Sequence, residues 1–164
     1  MGWWGVTAMA GDTPSDILCG FQNVLKMGNS FWDRFYDGKT TSKDMKKVAV
    51  KINENLDRLI TFCEKQENDS YYDDYFISYH VLAIFVMNHG ANFPDWLRGK
   101  CIECCVDDTW AHEDDERLNA MLSLINDILN YKDGKPTEES TPDRGLFGAI
   151  FTALDKGKQG LVNR

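Results

Sequence analysis

Apolar residues recur every three or four positions along most of the chain, which is the spacing of one face of an α-helix. One such row runs from Ile17 to Leu25, a longer one from Met45 to Cys63, and a third from Leu118 to Leu129. Residues 71–88 are apolar almost without interruption, and their length favours a central helix buried on most of its sides. These rows predict an all-α protein.

Polar and turn-forming residues place the helix ends. Asp12 or Thr13 is suited to cap the first helix, with Pro14 in its first turn, and the Thr-Thr-Ser-Lys-Asp segment that ends at Asp44 carries another cap signal, before the long second row. A short helix is predicted after Pro94, with one face formed by Leu97, Cys101, Cys104 and Cys105. The last helix is expected to turn six apolar residues inward: Leu118, Met121, Leu122, Ile125, Ile128 and Leu129.

The chain is long enough for one domain and carries enough apolar residues to fold alone. We predict a compact single-domain bundle of five or six helices over residues 1–131, with an anchored N-terminal segment. Residues 132–143 are rich in Pro, Gly and charge and predict an exposed linker. The tail, residues 144–164, contains an apolar stretch at 146–154 that predicts a short helix, which docks either on its own domain or on a second copy in a homo-oligomer.

The amino-acid composition limits the classes of partner that the protein is expected to bind. The 164 residues carry a formal net charge of −8, so phosphate-backbone binding is not expected and nucleic acid is not a predicted partner. The longest apolar run, Val81 to Met87, is far shorter than the ~20 residues of a membrane span. Five cysteines without the spacing of a disulfide framework indicate free thiols, and therefore a cytoplasmic protein.

Cys101 and Cys104 have the spacing of half a zinc site, with Cys105 and His112 nearby. A tetrahedral site needs four ligands, usually from two such pairs, and no second pair is present. The same cysteines also complete an apolar helix face. We therefore predict no metal and no cofactor, with metal binding by these four residues as the open alternative.

The densest charge lies between Glu103 and Glu116, a segment that holds seven carboxylates and no Lys or Arg. The segment lacks the alternating ligands and glycine of a calcium loop. It suits either a wet surface around helix starts, which is the more ordinary interpretation, or a patch that binds a basic groove on a protein partner. The partner-binding candidates are Asp107, Asp108, Glu113, Asp114, Asp115 and Glu116.

The opening Met1-Gly-Trp-Trp-Gly, together with Gly11, Asp12 and Asp16, resembles a domain-of-unknown-function family of small bacterial and phage proteins. Its members open Met-Gly-x-Trp and continue with an Asp-containing helix start, and the likeness spans residues 1–131 loosely. The resemblance implies no activity and no catalytic residues. Trp3, Trp4, Asp12 and Asp16 would be its motif here, or they would plug the bundle and cap its first helix.

The sequence contains no Gly-rich phosphate loop, dinucleotide fingerprint, nucleophile elbow or metalloprotease helix motif. We therefore predict a non-enzymatic protein that binds another macromolecule, such as a bacterial or phage-encoded inhibitor or accessory protein. The alternative is a protein that binds or sequesters a small ligand such as a nucleotide, or hydrolyses one, in an aromatic and carboxylate pocket. Its candidate residues are Trp3, Trp4, Asp12, Asp16, Tyr71 and Tyr72, with Tyr75 nearby.

Overall fold

The computed structural model describes residues 7–69 and 74–137, and the side chains of 7–66 and 75–137. Over these residues the chain forms seven α-helices and no strand, which confirms the all-α prediction. None of these helices is both long and apolar enough to cross a membrane. The helices are α1 (Asp12–Leu25), α2 (Asn29–Tyr36), α3 (Ser42–Glu54), α4 (Leu56–Asp69), α5 (Asp74–Asn88), α6 (Asp95–Val106) and α7 (Asp115–Asn130).

The helix count exceeds the predicted five or six for two local reasons. The long row from Met45 to Cys63 divides at Asn55, whose side-chain amide donates to the carbonyl oxygen of Lys51 and ends α3. The segment after Gly28, which has a positive φ of 87°, forms α2. Its eight residues are too few for a clear periodic signal, although Phe31, Trp32 and Phe35 are buried along one face.

The predicted central helix is confirmed. From Ile77 to Met87 every residue of α5 is buried except the half-buried Ile84, and the helix packs against α1, α4, α6 and α7. The Phe85 ring stacks on Phe21 of α1 with 5.9 Å between their centroids. The start of α3 is as predicted: the backbone N–H of Asp44 donates to Oγ1 of Thr41, and that of Thr41 donates to the Asp44 carboxylate.

A buried ion pair links the loop after α6 to the first turn of α7. An Nη2 of Arg117 lies 2.8 Å from Oδ2 of Asp108, and both side chains are almost completely buried. The second Nη of Arg117 donates to the carbonyl oxygen of Thr7, and its guanidinium lies 4.6 Å from the centroid of the Trp110 ring. Burial opposes ionisation of Asp108, but hydrogen bonds and charge from Arg117 outweigh it, and the pKa of Asp108 is lowered.

One predicted face is partly wrong. The buried row of α7 is Arg117, Met121, Leu124 and Ile128, whereas Leu118, Leu122 and Leu129, which were expected to face inward, are exposed. The apolar residues of α7 cover two neighbouring faces, and only one can meet the core. The face that contains Arg117 is the buried one, because the Arg117 charge is paired with Asp108 inside the domain.

Two histidines are buried without charge. The Nε2–H of His80 donates to the carbonyl oxygen of Cys104 at 3.0 Å. Neither ring nitrogen of His89 has a hydrogen-bond partner within the described chain, and its ring lies among Trp32, Phe35 and Phe85. Burial lowers the pKa of His80 to about 4 and that of His89 to about 3.

The Asp108→Ala variant is expected to lower the free energy of unfolding by about 3–5 kcal/mol, because it leaves Arg117 charged and buried without its partner. Urea denaturation followed by circular dichroism measures the change. The neighbouring exposed Asp107→Ala is the control and should change stability by less than about 0.5 kcal/mol. Equal effects of the two substitutions would contradict a structural role for the pair.

Stability should also fall as pH drops from about 6.5 towards 4, because the unfolded chain takes up protons at His80 and His89 that the folded chain does not. Each histidine contributes a slope that approaches about 1.4 kcal/mol per pH unit. His89→Phe places an apolar ring among aromatic neighbours and should remove about half of the slope. Urea titrations at several pH values test this, and an unchanged slope would show that His89 is protonated in the folded protein.

Candidate functional site

Helices α6 and α7 lie side by side and run antiparallel. Arg98, near the start of α6, donates from Nη1 to the carbonyl oxygens of Ile128 and Tyr131 at the end of α7, at 2.9 and 2.6 Å. Its Nη2 also pairs with Asp133 at 3.0 Å. The end of α6 leads into the start of α7 through the short loop of residues 107–114. The two helices are therefore joined at both ends.

One flank of α6 is turned towards α7. The residues Arg98, Ile102 and Val106 are four positions apart and therefore lie on one side of α6. Measured around the helix axis, they are rotated by about 100–180° from Leu97, which is on the buried face. Of these three residues, Arg98 reaches α7 with its guanidinium. Ile102 packs partly against the core, and Val106 is 58% exposed.

The exposed leucines of α7 form a matching flank. The row consists of Leu118, Leu122, Ile125 and Leu129, spaced by four, three and four residues. Each of them directly follows a residue of the buried row, so the two rows are about 100° apart around the helix axis. Leu122 is 53% and Leu129 65% exposed. The α6 row Ile102 and Val106 belongs to the helix that packs beside α7. We call this surface the α6–α7 groove: Ile102, Val106, Leu118, Leu122, Ile125 and Leu129.

The predicted acidic residues surround one end of this groove but are not equivalent. Asp107 directly follows Val106, while Asp115 precedes Leu118 by three residues and so continues the leucine row. Asp107, Glu113 and Asp115 are exposed, and we call them the acidic end of the groove. Asp108 is buried against Arg117, so its carboxylate is not part of the surface.

Asp114 and Glu116 are half-buried. The Asp114 side chain caps α7 by accepting the backbone N–H groups of Glu116 and Arg117. The Arg117 N–H is the main cause of the lowered pKa of Asp114. This carboxylate therefore organises the helix start, which agrees with the ordinary interpretation of acids in first turns.

The candidate ligand residues are only partly described. Trp3, Trp4, Tyr71 and Tyr72 lie outside the described residues. Asp12 and Asp16 are exposed and one turn apart at the start of α1, whose N-cap position is occupied by Gly11 without a side-chain capping bond. Capping of α1 by Asp12 or Thr13 was therefore wrong, whereas Pro14 does lie in the first turn as predicted.

A second concave site lies between α4, α5 and α6 and has a volume of about 750 Å³. We call it the aromatic cleft, since Tyr75, Tyr79 and Trp96 contribute to its wall. The Lys100 ammonium lies 4.8 Å from the centroid of the Tyr75 ring and 5.5 Å from that of Tyr79. A hydrogen bond that the Lys100 ammonium donates to the Tyr75 side chain is the main cause of the raised pKa of Lys100. Glu64 and Glu103 complete the charged part of the lining.

Sequence reasoning missed most of the aromatic cleft, although a signal was present. Trp96, Lys100 and Glu103 are spaced by four and three residues and therefore share one side of α6. Trp96 and Lys100 lie about 160° round the helix from Arg98 and Ile102, whereas Glu103 is three residues before Val106 and adjoins it. Trp96 is 61% exposed, which is unusual for a tryptophan in a folded domain.

Four of the cysteines are buried in the hydrophobic core. Cys101, Cys104 and Cys105 are buried on the inner face of α6, as predicted, together with Cys63 of α4. Burial raises the pKa of Cys63 and of Cys105 to about 12, so these thiols are neutral. The ring Nε2 of His112 hydrogen-bonds with the carbonyl oxygen of Val106. Within the described side chains, no three His, Cys, Asp or Glu residues converge as metal ligands.

Comparison with known proteins adds no relative: no family model, no curated protein and no solved structure matches this chain. The resemblance of the opening residues to bacterial and phage proteins stays a prediction, and residues 1–6 lie outside the described structure.

Proposed function

We propose that this protein acts without catalysis by binding a partner protein, and that the α6–α7 groove is its docking surface. The observation that carries the proposal is the exposure of Leu118, Leu122 and Leu129 along α7, with Val106 exposed at the end of the neighbouring α6. Contiguous apolar surface on a folded domain commonly marks an interaction site. Complete burial of a leucine contributes about 1.5–3 kcal/mol, so covering these roughly half-exposed side chains contributes about half of that each, and a few of them support specific binding.

The groove suits an amphipathic helix as the bound element. The row from Leu118 to Leu129 extends about 16 Å along α7, which is three helical turns. A partner helix can align its own apolar row with it and place side chains between the two flanks. The acidic end of the groove, Asp107, Glu113 and Asp115, favours basic residues on that helix, in agreement with the net charge of −8.

Two synthetic helical peptides with the same leucine face test this proposal, one with lysines and one with glutamates on its polar face. The lysine peptide is expected to bind the full chain at least about tenfold more tightly. The double variant L122E/L129E should weaken its binding at least about tenfold, although it adds negative charge. Fluorescence anisotropy of labelled peptides measures both effects.

Val50→Glu is the matched control, because Val50 is an exposed apolar residue on α3, away from the groove. It should fold as the wild type does and leave peptide affinity unchanged. Equal affinity for both peptides, or affinity that L122E/L129E leaves intact, would contradict the proposal.

A second candidate function is supported by the aromatic cleft. Trp96 and Tyr75 offer flat surfaces on which a base can stack, and Lys100 supplies a cation for a phosphate. Glu64 and Glu103 oppose that phosphate, which makes this candidate the weaker of the two. It corresponds to the sequence-based alternative of a nucleotide-binding protein, with Tyr75 as the shared residue.

If the cleft binds nucleotides, a millimolar nucleoside phosphate should raise the melting temperature of the wild type but not of Trp96→Ala. Ligand at about 100 times its dissociation constant stabilises by about 2.7 kcal/mol, which shifts the melting temperature by several degrees. Thermal-shift measurements with purine and pyrimidine nucleotides, with and without magnesium, check this. No shift in the wild type would eliminate this second candidate.

A further inference from the structure

The apolar and basic residues of the C-terminal tail complement the apolar and acidic residues of the α6–α7 groove. In a helix over residues 146–154, the apolar residues Leu146, Phe147, Ile150, Phe151 and Leu154 fall on one side, within about 140°. Residues 144–164 carry four basic residues and one acidic residue, while the chain as a whole is acidic. The tail is thus an apolar and basic segment attached to an acidic domain.

The described chain ends against the C-terminal end of α5. The Thr137 backbone N–H donates to the carbonyl oxygen of Met87, and its hydroxyl donates to Oδ1 of Asn88. Asp133, four residues earlier, pairs with Arg98 and accepts the backbone N–H of Phe93. These contacts fix the exit point at the end of the bundle where α6 begins and α7 ends, which is the Leu129 end of the groove.

The tail can reach and cover the leucine row. Residues 138–145 span up to about 26 Å when extended, so they can place residue 146 anywhere along α7. A helix over residues 146–154 is about 14 Å long, close to the about 16 Å between Leu118 and Leu129. Lys156 and Lys158 follow directly, at a position from which they can reach the acidic end of the groove.

We propose that residues 144–164 of the same chain occupy the α6–α7 groove and compete with the partner helix for it. This inference rests on the proposed function for its regulatory meaning. The short connection gives the tail an effective concentration in the millimolar range, so docking within one chain is favoured over docking on a second copy. A groove filled by the tail nine-tenths of the time weakens partner binding about tenfold.

Photo-crosslinking in the full chain tests the docking directly. With benzoylphenylalanine in place of Phe151, irradiation should produce a crosslink within one chain to residues between Ile102 and Leu129, mapped by mass spectrometry. L122E/L129E should abolish that crosslink, whereas Val50→Glu should leave it intact. Crosslinked dimers as the main product would assign the groove to a second copy, and crosslinks elsewhere or none at all would also overturn the inference.

Competition is measured with the lysine peptide. The tail variant I150E/F151E should tighten peptide binding about tenfold. Thr152→Glu, on the opposite side of the predicted tail helix, should leave binding unchanged. Circular dichroism and urea denaturation confirm that both variants keep the folded domain.

The two proposals fail in different ways. If the peptide binds the groove of the wild type and I150E/F151E changes nothing, the tail is not the occupant and the docking function stands. If the tail crosslinks to the groove but the peptide fails to bind even in I150E/F151E, the tail is a permanent part of the fold and the docking function is wrong.

Discussion

The rotation of α7 about its own axis is set by one buried charge. Arg117 lies on the core side of the helix because Asp108 supplies the opposite charge, Thr7 a carbonyl oxygen and Trp110 an aromatic face. A guanidinium without these partners would be strongly unfavourable inside the domain. With Arg117 facing inward, the row of Leu118, Leu122 and Leu129 lies about 100° away and faces the solvent. The candidate docking surface is therefore a consequence of the ion pair.

This dependence explains which parts of the structure the sequence could predict. The apolar segment of α5, the face of α6 with its cysteines and the cap at Thr41 each follow from local pattern, and all are found. The exposed leucines could not be predicted in the same way. From the sequence alone, Arg117 is expected at the surface and Leu122 in the core. The buried pairing of Arg117 with Asp108 is a tertiary contact, and it places Arg117 in the core and leaves Leu122 exposed.

The aromatic cleft was missed for a related reason. Its wall combines residues from α4, α5 and α6, and nothing in the sequence states which sides of separate helices meet. The groups that chemistry would need are also largely occupied by the fold. His80 donates to the Cys104 carbonyl, Asp114 caps α7, and the thiols of Cys63 and Cys105 are protonated in the core. Apolar surface and charge are what remain for binding.

The proposed docking of the tail depends on its covalent connection to the domain. A basic apolar segment of another protein would lose its full translational and rotational entropy on binding to the leucine row. The tail is connected to the domain through Thr137 at the Leu129 end, so its docking would cost much less of this entropy. If the tail occupies the groove as proposed, a foreign helix has to bind more tightly than the tail to displace it, and the tail would set an affinity threshold for partners. Specificity would then arise at the acidic end of the groove, where a partner with more or better placed basic residues than Lys156 and Lys158 would gain over the tail.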